Sequence, residues 1–177
     1  MKFSRAEISD VIIIEPKVFS DERGYFFESF KQNELNEFLG YDVNFCQDNE
    51  SKSSYGVLRG LHYQEYPFAQ AKLIRVIQGS VLDVAVDIRQ DSSTFGKYFS
   101  TELSEENKKQ LFIPKGFAHG FVVLSENAIF SYKVDNYYNG EFERGIAYND
   151  PNIGINWKLK SNLIISERDR NNQSLLP

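Results

Sequence analysis

The fold is most clearly marked by the run Gly56-Val57-Leu58-Arg59-Gly60-Leu61-His62-Tyr63-Gln64, which Pro114-Lys115-Gly116-Phe117-Ala118-His119 follows downstream. These two runs hold both histidines of the chain. Each histidine lies among glycines and apolar residues typical of strands and turns, which predicts two imidazoles pointing into a barrel from different strands. Because histidine titrates near neutrality, two of them in one apolar cavity indicate proton transfer or metal binding.

The length and charge of the chain limit what it can be. At 177 residues it is long enough for one domain with a buried core, and we expect residues 1–177 to form a single domain. The net charge is −5 and the pI is near 5.1. We therefore expect no nonspecific binding to nucleic acid or to an anionic membrane, because either partner would repel the average surface.

Two further features concern the cellular compartment. The segment Lys2-Phe3-Ser4-Arg5-Ala6-Glu7 is polar and charged, and no stretch approaches the roughly 20 apolar residues of a membrane-spanning helix. We therefore expect a cytoplasmic protein with no membrane partner. The single cysteine, Cys46, cannot form an intrachain disulfide, so we expect a small buried hydrophobe or an inert thiol.

Short runs of aromatic and β-branched residues, separated by glycine, proline, asparagine and serine, predict the antiparallel strands of a sandwich or barrel. The clearest hairpin signal is Gln78-Gly79-Ser80, which lies between two of the runs. The runs are Val11 to Ile14, Tyr25 to Phe30, Leu73 to Ile77, Val81 to Ile88, Lys97 to Leu103, Gly120 to Leu124 and Ile129 to Val134.

The run from Val81 to Ile88 alternates in polarity. One face carries Val81, Asp83, Ala85 and Asp87, and the other carries Leu82, Val84, Val86 and Ile88. The apolar face is expected to meet the core, and the other to be polar or to line a cavity. Few helices are predicted: Gln32 to Leu39 ending at Gly40, a turn near Glu105 to Lys109 opened by Ser104, and a short helix near Ser166 to Asn171.

The spacing of the two histidine runs, Gly-x(5)-His and, some fifty residues later, Pro-x-Gly-x-x-His, resembles the two motifs of the cupins. This resemblance implies an all-β fold: a cupin-type double-stranded β-helix, or jelly-roll barrel, with a few short helices. Metal-binding cupins carry His-x-His in the first motif, whereas this chain has His62-Tyr63-Gln64. With two histidines a metal site needs carboxylates nearby, so metal binding stays a minor alternative, as do two satisfied core histidines.

A closer resemblance, over residues roughly 10 to 170, is to the dTDP-4-dehydrorhamnose 3,5-epimerases. The runs that carry it are Phe19-Ser20-Asp21-Glu22-Arg23-Gly24-Tyr25-Phe26, Gln47-Asp48-Asn49-Glu50-Ser51-Lys52-Ser53, Gly56 to Gln64, Ala69-Gln70-Ala71-Lys72-Leu73, Asp83 to Arg89, Ser93-Thr94-Phe95-Gly96, Ile113 to Phe121 and Tyr132-Lys133. Several of these runs are highly specific.

The resemblance implies an isomerase that acts on a dTDP-linked 6-deoxy-4-ketohexose in dTDP-L-rhamnose biosynthesis. The C4 carbonyl acidifies the hydrogens on both neighbouring carbons, so a base removes one as an enolate forms. An acid then returns a proton on the opposite face, which inverts C5 and C3. Such a reaction needs no redox cofactor, and we expect neither a cofactor nor a metal.

The resemblance also assigns roles to four catalytic residues. His62 is the base, and Asp169 is the carboxylate that fixes its tautomer and stabilises the protonated imidazole. Tyr132 is the acid on the opposite face. Lys72 stabilises the enolate oxygen, as expected for an ammonium aimed at developing negative charge.

The substrate-binding residues follow from the same resemblance. Arg23 and Arg59 match the arginines that hold the two phosphates, which suits their planar guanidinium groups. His119 matches a second histidine near the sugar oxygens, and Arg168 stands where the family commonly has lysine. The loop Glu65-Tyr66-Pro67 replaces a commoner double proline. The remaining matches, on the nucleotide side, are Glu28, Gln47, Asp48, Asn49, Tyr138 and Glu143.

Members of this family are typically homodimers in which an N-terminal segment crosses to the partner and completes its nucleotide site. The run Val11 to Phe30 is apolar enough for such an exchange. We therefore predict a homodimer with an exchanged N-terminal segment.

Four alternatives remain from the residues. The same residues suit a single-site 3- or 5-epimerase of a related dTDP-4-ketosugar. A 3,4-ketoisomerase is less consistent with Lys72, Tyr132 and Asp169. A noncatalytic sugar-binding cupin needs no acid and base on opposite faces, and a cupin dioxygenase needs more metal ligands than two histidines provide.

Overall fold

Strands dominate the chain. The computed structural model describes residues 1–159 and 161–175, and within them the chain forms fourteen strands and two short helices. The strands are β1 (Lys2–Arg5), β2 (Ile12–Glu15), β3 (Phe19–Asp21), β4 (Gly24–Phe26), β5 (Gln47–Ser54), β6 (Val57–Gln64), β7 (Lys72–Gln78), β8 (Ser80–Asp87), β9 (Tyr98–Ser104), β10 (Gln110–Ile113), β11 (Phe117–Val123), β12 (Asn127–Val134), β13 (Glu143–Gly145) and β14 (Ile164–Ile165), and the helices are α1 (Gln32–Leu39) and α2 (Glu167–Arg170).

Two large antiparallel sheets form the walls of a barrel. The first has the order β1-β2-β10-β7-β12-β5, and the second has the order β13-β6-β11-β8-β9, with β14 parallel to β6. Apolar side chains from both sheets, such as Ile74, Leu111, Val123 and Phe130, meet in one buried cluster between them. The predicted all-β jelly-roll barrel with a few short helices is therefore confirmed.

Strand β8 is buried on both faces. Its Val81 and Ala85 point into the barrel with the cluster between the sheets. Its Leu82, Val84 and Val86 pack outside the second sheet, in a cluster with Trp157 and other residues of the C-terminal segment. The predicted alternation is confirmed: the apolar face meets a core, and the face that carries Asp83 lines the interior.

The prediction of a hairpin at Gln78-Gly79-Ser80 is wrong. Strands β7 and β8 lie in different sheets, so the chain turns a corner of the barrel at this point. Gly79 has φ +76°, and a Cβ there would lie 2.1 Å from the carbonyl oxygen of Asn127. The same residue signals that favour a hairpin also suit a corner, because both need a positive φ and a close approach.

Helix α1 has the predicted bounds and ends at Gly40, whose φ of 79° closes the helix with an N–H bond to the Asn36 carbonyl. Its buried Leu35 packs with Ile12, Ile14 and other residues on the outer face of the first sheet. The predicted C-terminal helix is present as α2. The turn at Ser104 is also present, where the hydroxyl accepts the Asn107 N–H at 3.0 Å.

Strands β3 and β4 form a separate two-stranded hairpin. The predicted strand from Tyr25 to Phe30 is shorter than expected and ends at Phe26. Phe19, Tyr25 and Phe26 are 51%, 59% and 66% exposed, so the hairpin presents aromatic rings to solvent. Exposed aromatic clusters of this kind are typical of contact surfaces.

Neither of the helices found in residues 1–159 and 161–175 is long and apolar enough to cross a bilayer. Cys46 is an exposed thiol rather than a buried hydrophobe, because it precedes β5 at the edge of the first sheet.

Candidate active site

A cavity of about 750 Å³ opens between the two sheets. Side chains from both sheets and from the C-terminal segment line it. Ten of the fourteen predicted site residues lie on its wall: Asn49, Arg59, His62, Lys72, His119, Tyr132, Tyr138, Glu143, Arg168 and Asp169.

His62 and Asp169 form a hydrogen-bonded pair, although they are far apart in sequence. His62 Nε2 lies 2.6 Å from Asp169 Oδ1, and the Gly60 N–H donates to Asp169 Oδ2 at 3.2 Å. Burial alone would raise the pKa of Asp169, but these hydrogen bonds and the histidine charge outweigh it and lower the pKa. The carboxylate is therefore ionised at neutral pH, and it leaves Nδ1 as the ring nitrogen that can take a proton.

The position of Asp169 depends on the start of α2. Ser166 precedes this helix, and its hydroxyl accepts the Asp169 N–H at 3.1 Å. This N-cap holds the single helical turn that faces β6. From sequence alone Asp169 would be read as a solvated tail residue, yet it is 3% exposed.

His119 pairs with a second carboxylate, Asp83, which the sequence analysis did not assign to the site. His119 Nε2 lies 2.9 Å from Asp83 Oδ2, and Asp83 is fully buried. Asp83 Oδ1 has no hydrogen-bond partner among the described residues. Burial lowers the pKa of His119 despite the nearby carboxylate, so this imidazole is neutral at physiological pH. The alternation along β8 was the signal for Asp83.

Lys72 is a buried cation in the cavity wall. It is 9% exposed, and its Nζ donates to the His62 carbonyl at 3.4 Å. Burial lowers the pKa of Lys72 to about 8, while the charges of Asp83 and Glu143 oppose the shift. An ammonium held in a desolvated cavity can stabilise negative charge that develops on a substrate oxygen.

Tyr132 reaches the cavity from the opposite wall to His62. It lies on β12 of the first sheet, whereas His62 lies on β6 of the second sheet. Burial raises the pKa of the Tyr132 phenol, and the charge of Glu143 adds to the effect. The phenol is therefore protonated at neutral pH. It can give its proton to the face of a bound ligand opposite to the face that His62 meets.

A chain of polar contacts lies on the C-terminal side of the cavity. The Tyr138 hydroxyl donates to Glu143 Oε2 at 2.7 Å, and Arg168 Nη1 donates to the same oxygen at 2.6 Å. Arg59 stands on the wall near Ser53, to which its Nε donates at 3.1 Å. Two guanidinium groups and one carboxylate thus border the space beside the histidines, an arrangement that suits a polar, anionic ligand.

Four predicted residues lie outside the cavity wall. Arg23, with a side chain 85% exposed, pairs with Asp21 in the β3–β4 hairpin, and Glu28 pairs with Lys31 at 2.8 Å. Asp48 is a partner of Lys133 at 2.9 Å. Gln47 connects indirectly, because its Nε2 donates to Asn49 Oδ1 at 2.8 Å.

Within residues 1–159 and 161–175, no group of three or more His, Cys, Asp or Glu side chains is placed to hold a metal ion. The two imidazoles instead face one carboxylate each.

Comparison with known proteins gives one consistent family. The dTDP-4-dehydrorhamnose 3,5-epimerase family matches residues 5–176. A dTDP-4-dehydrorhamnose 3,5-epimerase of Shigella flexneri is 54% identical over 176 residues, which is 99% of this chain and 97% of the relative.

Solved structures agree with the sequence comparison. The Legionella pneumophila dTDP-6-deoxy-D-glucose-3,5-epimerase, solved in complex with dTDP-4-keto-L-rhamnose, has a TM-score of 0.95 and is 49% identical, covering 98% of this chain and 92% of that one. A 3'-monoepimerase from Streptomyces bikiniensis in complex with dTDP-quinovose has a TM-score of 0.91 and 32% identity, covering 97% and 86%. With its fold, its pair of histidines and these matches, the chain belongs to the dTDP-4-dehydrorhamnose 3,5-epimerase family of cupin-fold isomerases.

Proposed function

We propose that this chain inverts C3 and C5 of dTDP-4-dehydro-6-deoxy-D-glucose, giving dTDP-4-dehydro-L-rhamnose for dTDP-L-rhamnose biosynthesis. The observation that carries the proposal is the placement of His62 and Tyr132 on opposite walls of one cavity. A base on one face of a sugar ring and an acid on the other are what an inversion through an enolate needs.

Each step uses a group already described. His62, oriented by Asp169, removes the proton from the carbon next to the C4 carbonyl, and the electron pair moves onto the C4 oxygen. The Lys72 ammonium stabilises that enolate oxygen. Tyr132 then gives its proton to the opposite face of the same carbon, and the C4 carbonyl forms again. His119 contacts the sugar oxygens, and no proton transfer is assigned to it.

Proton NMR of dTDP-4-keto-6-deoxyglucose in heavy water tests the proposal, with a reductase for the 4-keto-L-sugar added to trap the product. We expect deuterium at both C3 and C5 and formation of dTDP-L-rhamnose. Label at one carbon without dTDP-L-rhamnose would replace the double epimerase by a single-site enzyme. No label at all would overturn the proposal in favour of a noncatalytic or metal-dependent cupin.

We further propose that the chain is a homodimer and that Arg23 and Glu28 serve the partner's site. In support, both residues lie outside their own cavity, on or beside a hairpin with exposed aromatic rings. Arg59 and Arg168 from one chain and Arg23 from the other would hold the diphosphate. Light scattering after size-exclusion chromatography is expected to give twice the mass of the chain, and a monomer would remove this proposal.

We propose that residues 1–177 form one domain, and limited proteolysis that released two stable fragments would contradict it. We propose a cytoplasmic location, which fractionation of cells probed with an antibody to the chain would test.

A further inference from the structure

Gln64 occupies the position where metal-binding cupins carry the second histidine of the first motif, and here its side chain makes three hydrogen bonds to backbone. Its Nε2 donates to the carbonyl oxygens of Phe68 at 2.7 Å and Tyr137 at 3.3 Å. Its Oε1 accepts the Asn139 N–H at 2.6 Å. The residue is 7% exposed, so these contacts are shielded from water.

Two of the three bonds bracket Tyr138. Its two sequence neighbours, Tyr137 and Asn139, are both bonded to Gln64, and its own N–H donates to Gln47 Oε1 at 3.3 Å. Tyr138 is 57% exposed, so packing does little to fix its side chain, and its hydroxyl donates to Glu143 Oε2 at 2.7 Å. The ring is therefore positioned at the cavity by the backbone of this loop at one end and by the Glu143 hydrogen bond at the other.

We propose that Gln64 is a positioning residue that presents Tyr138 to the nucleotide part of the substrate. This inference rests on the proposed function, because it takes the ligand to be a dTDP-sugar. A carboxamide is required at position 64 because the site needs a donor toward two carbonyls and an acceptor for one N–H. Neither an aliphatic side chain nor an ionised carboxylate supplies both.

Gln64→Leu and Gln64→Glu test the proposal. Both are expected to raise KM for the dTDP-ketosugar about 10-fold, which is the effect of losing one or two buried hydrogen bonds on a contact residue. In both variants, kcat and the rate of deuterium incorporation at saturating substrate should stay within about 2-fold of the wild-type values. In the same variants, the Kd of dTDP measured by titration calorimetry should rise with KM.

Two further measurements separate this role from a general effect on the barrel. With the same ketosugar carrying only a 1-phosphate, wild type and Gln64→Leu should have equal kcat/KM, because the thymidine is missing. In a Tyr138→Ala background, Gln64→Leu should raise KM no further, because Gln64 affects nucleotide binding only by positioning Tyr138. A full additive effect in that background would overturn the proposal.

Val86→Ala serves as the stability control. Val86 is fully buried in the cluster outside the second sheet, so its truncation destabilises the fold without touching the Tyr138 loop. It should leave KM and the Kd of dTDP unchanged at a temperature where both proteins are folded by circular dichroism.

The failure of this inference is distinct from the failure of the proposed function. Wild-type protein that binds dTDP but turns over no dTDP-ketosugar would refute the function alone. Wild-type KM and Kd in folded Gln64→Leu and Gln64→Glu would refute the role of Gln64 alone.

Discussion

His62 and His119 are register partners on β6 and β11, yet each is hydrogen-bonded to a carboxylate from a different part of the chain. The partner of His62 comes from α2, and that of His119 comes from β8 inside the barrel. The His62 side chain is 30% exposed in the cavity, whereas the His119 side chain is 9% exposed. This difference in access supports His62, rather than His119, as the base of the proposed reaction.

His62→Ala and Tyr132→Phe should fail in different ways. Without the base, no proton leaves the substrate, so His62→Ala should show no deuterium incorporation at C3 or C5. Tyr132→Phe retains the base and should still exchange protons on the face of His62, while inversion falls by about 10²-fold or more. Proton NMR in heavy water measures both results. Full epimerase activity in His62→Ala would rule out its assignment as the base.

Activity should fall as the pH rises through about 8, where Lys72 loses its proton. The charged form is the one that stabilises an enolate, so kcat should be highest on the acid side of that pH. Because the Asp83 charge raises the pKa of Lys72, Asp83→Asn should move the fall in kcat to lower pH. The measurement is kcat against pH, with circular dichroism showing that the fold persists. A flat profile up to pH 9.5 would contradict the role of Lys72.

Mixing two inactive variants should restore activity if Arg23 serves the partner's site. A His62→Ala chain paired with an Arg23→Ala chain has one site that holds both His62 and Arg23. Subunit exchange should therefore return up to a quarter of wild-type activity, assuming random pairing and one site restored in each mixed dimer. Each variant alone is the control. No recovery in dimers shown by tagged purification to be mixed would place Arg23 in its own site or in none.

Asp87 should be important for stability rather than for catalysis. It accepts hydrogen bonds from Arg89, Ser92 and Thr94 at 2.6–2.9 Å, which lower its pKa although burial opposes this shift. A depressed pKa means that the carboxylate stabilises the fold above about pH 4, and that this stabilisation is lost as the pH falls further. Asp87→Asn should cost about 2–4 kcal/mol at pH 7.

Urea unfolding at pH 7 and at pH 3 measures this effect. The difference between wild type and Asp87→Asn should shrink at the lower pH, because the Asp87 carboxyl of the unfolded chain, with an ordinary pKa of about 3.9, is then mostly protonated while the folded carboxylate is not. The exposed neighbour Asp91 provides a matched control, and Asp91→Asn should change the free energy of unfolding by less than about 0.5 kcal/mol. An equal difference at both pH values would contradict the assignment.

Local patterns were sufficient for much of the fold. Apolar runs and turn residues predicted β2, β7, β8, β9, β11 and β12, and the stop at Gly40 predicted the end of α1. The same patterns did not separate a hairpin from a corner at Gly79, because sheet membership depends on long-range pairing. Polar β5 was not predicted as a strand from its composition, since its neighbour β12 and the cavity determine its structure rather than a buried face of its own.

The candidate site was less accessible to local reasoning. The two histidine runs were visible as motifs, and alternation on β8 indicated an inward-facing Asp83. Asp169 and Tyr132 had no local signal, because their roles depend on contacts with β6 and on the opposite sheet, and they came from family resemblance. The functions proposed for Arg23 and Glu28 would depend on a second chain, which no single-chain pattern contains.

Asp169, the carboxylate hydrogen-bonded to His62, lies in α2, after every strand of the barrel. A ribosome therefore completes both walls and most of the pocket before it adds Asp169. A chain that ended before Asp169 would keep both sheets and most of the cavity lining but would lack the carboxylate partner of His62.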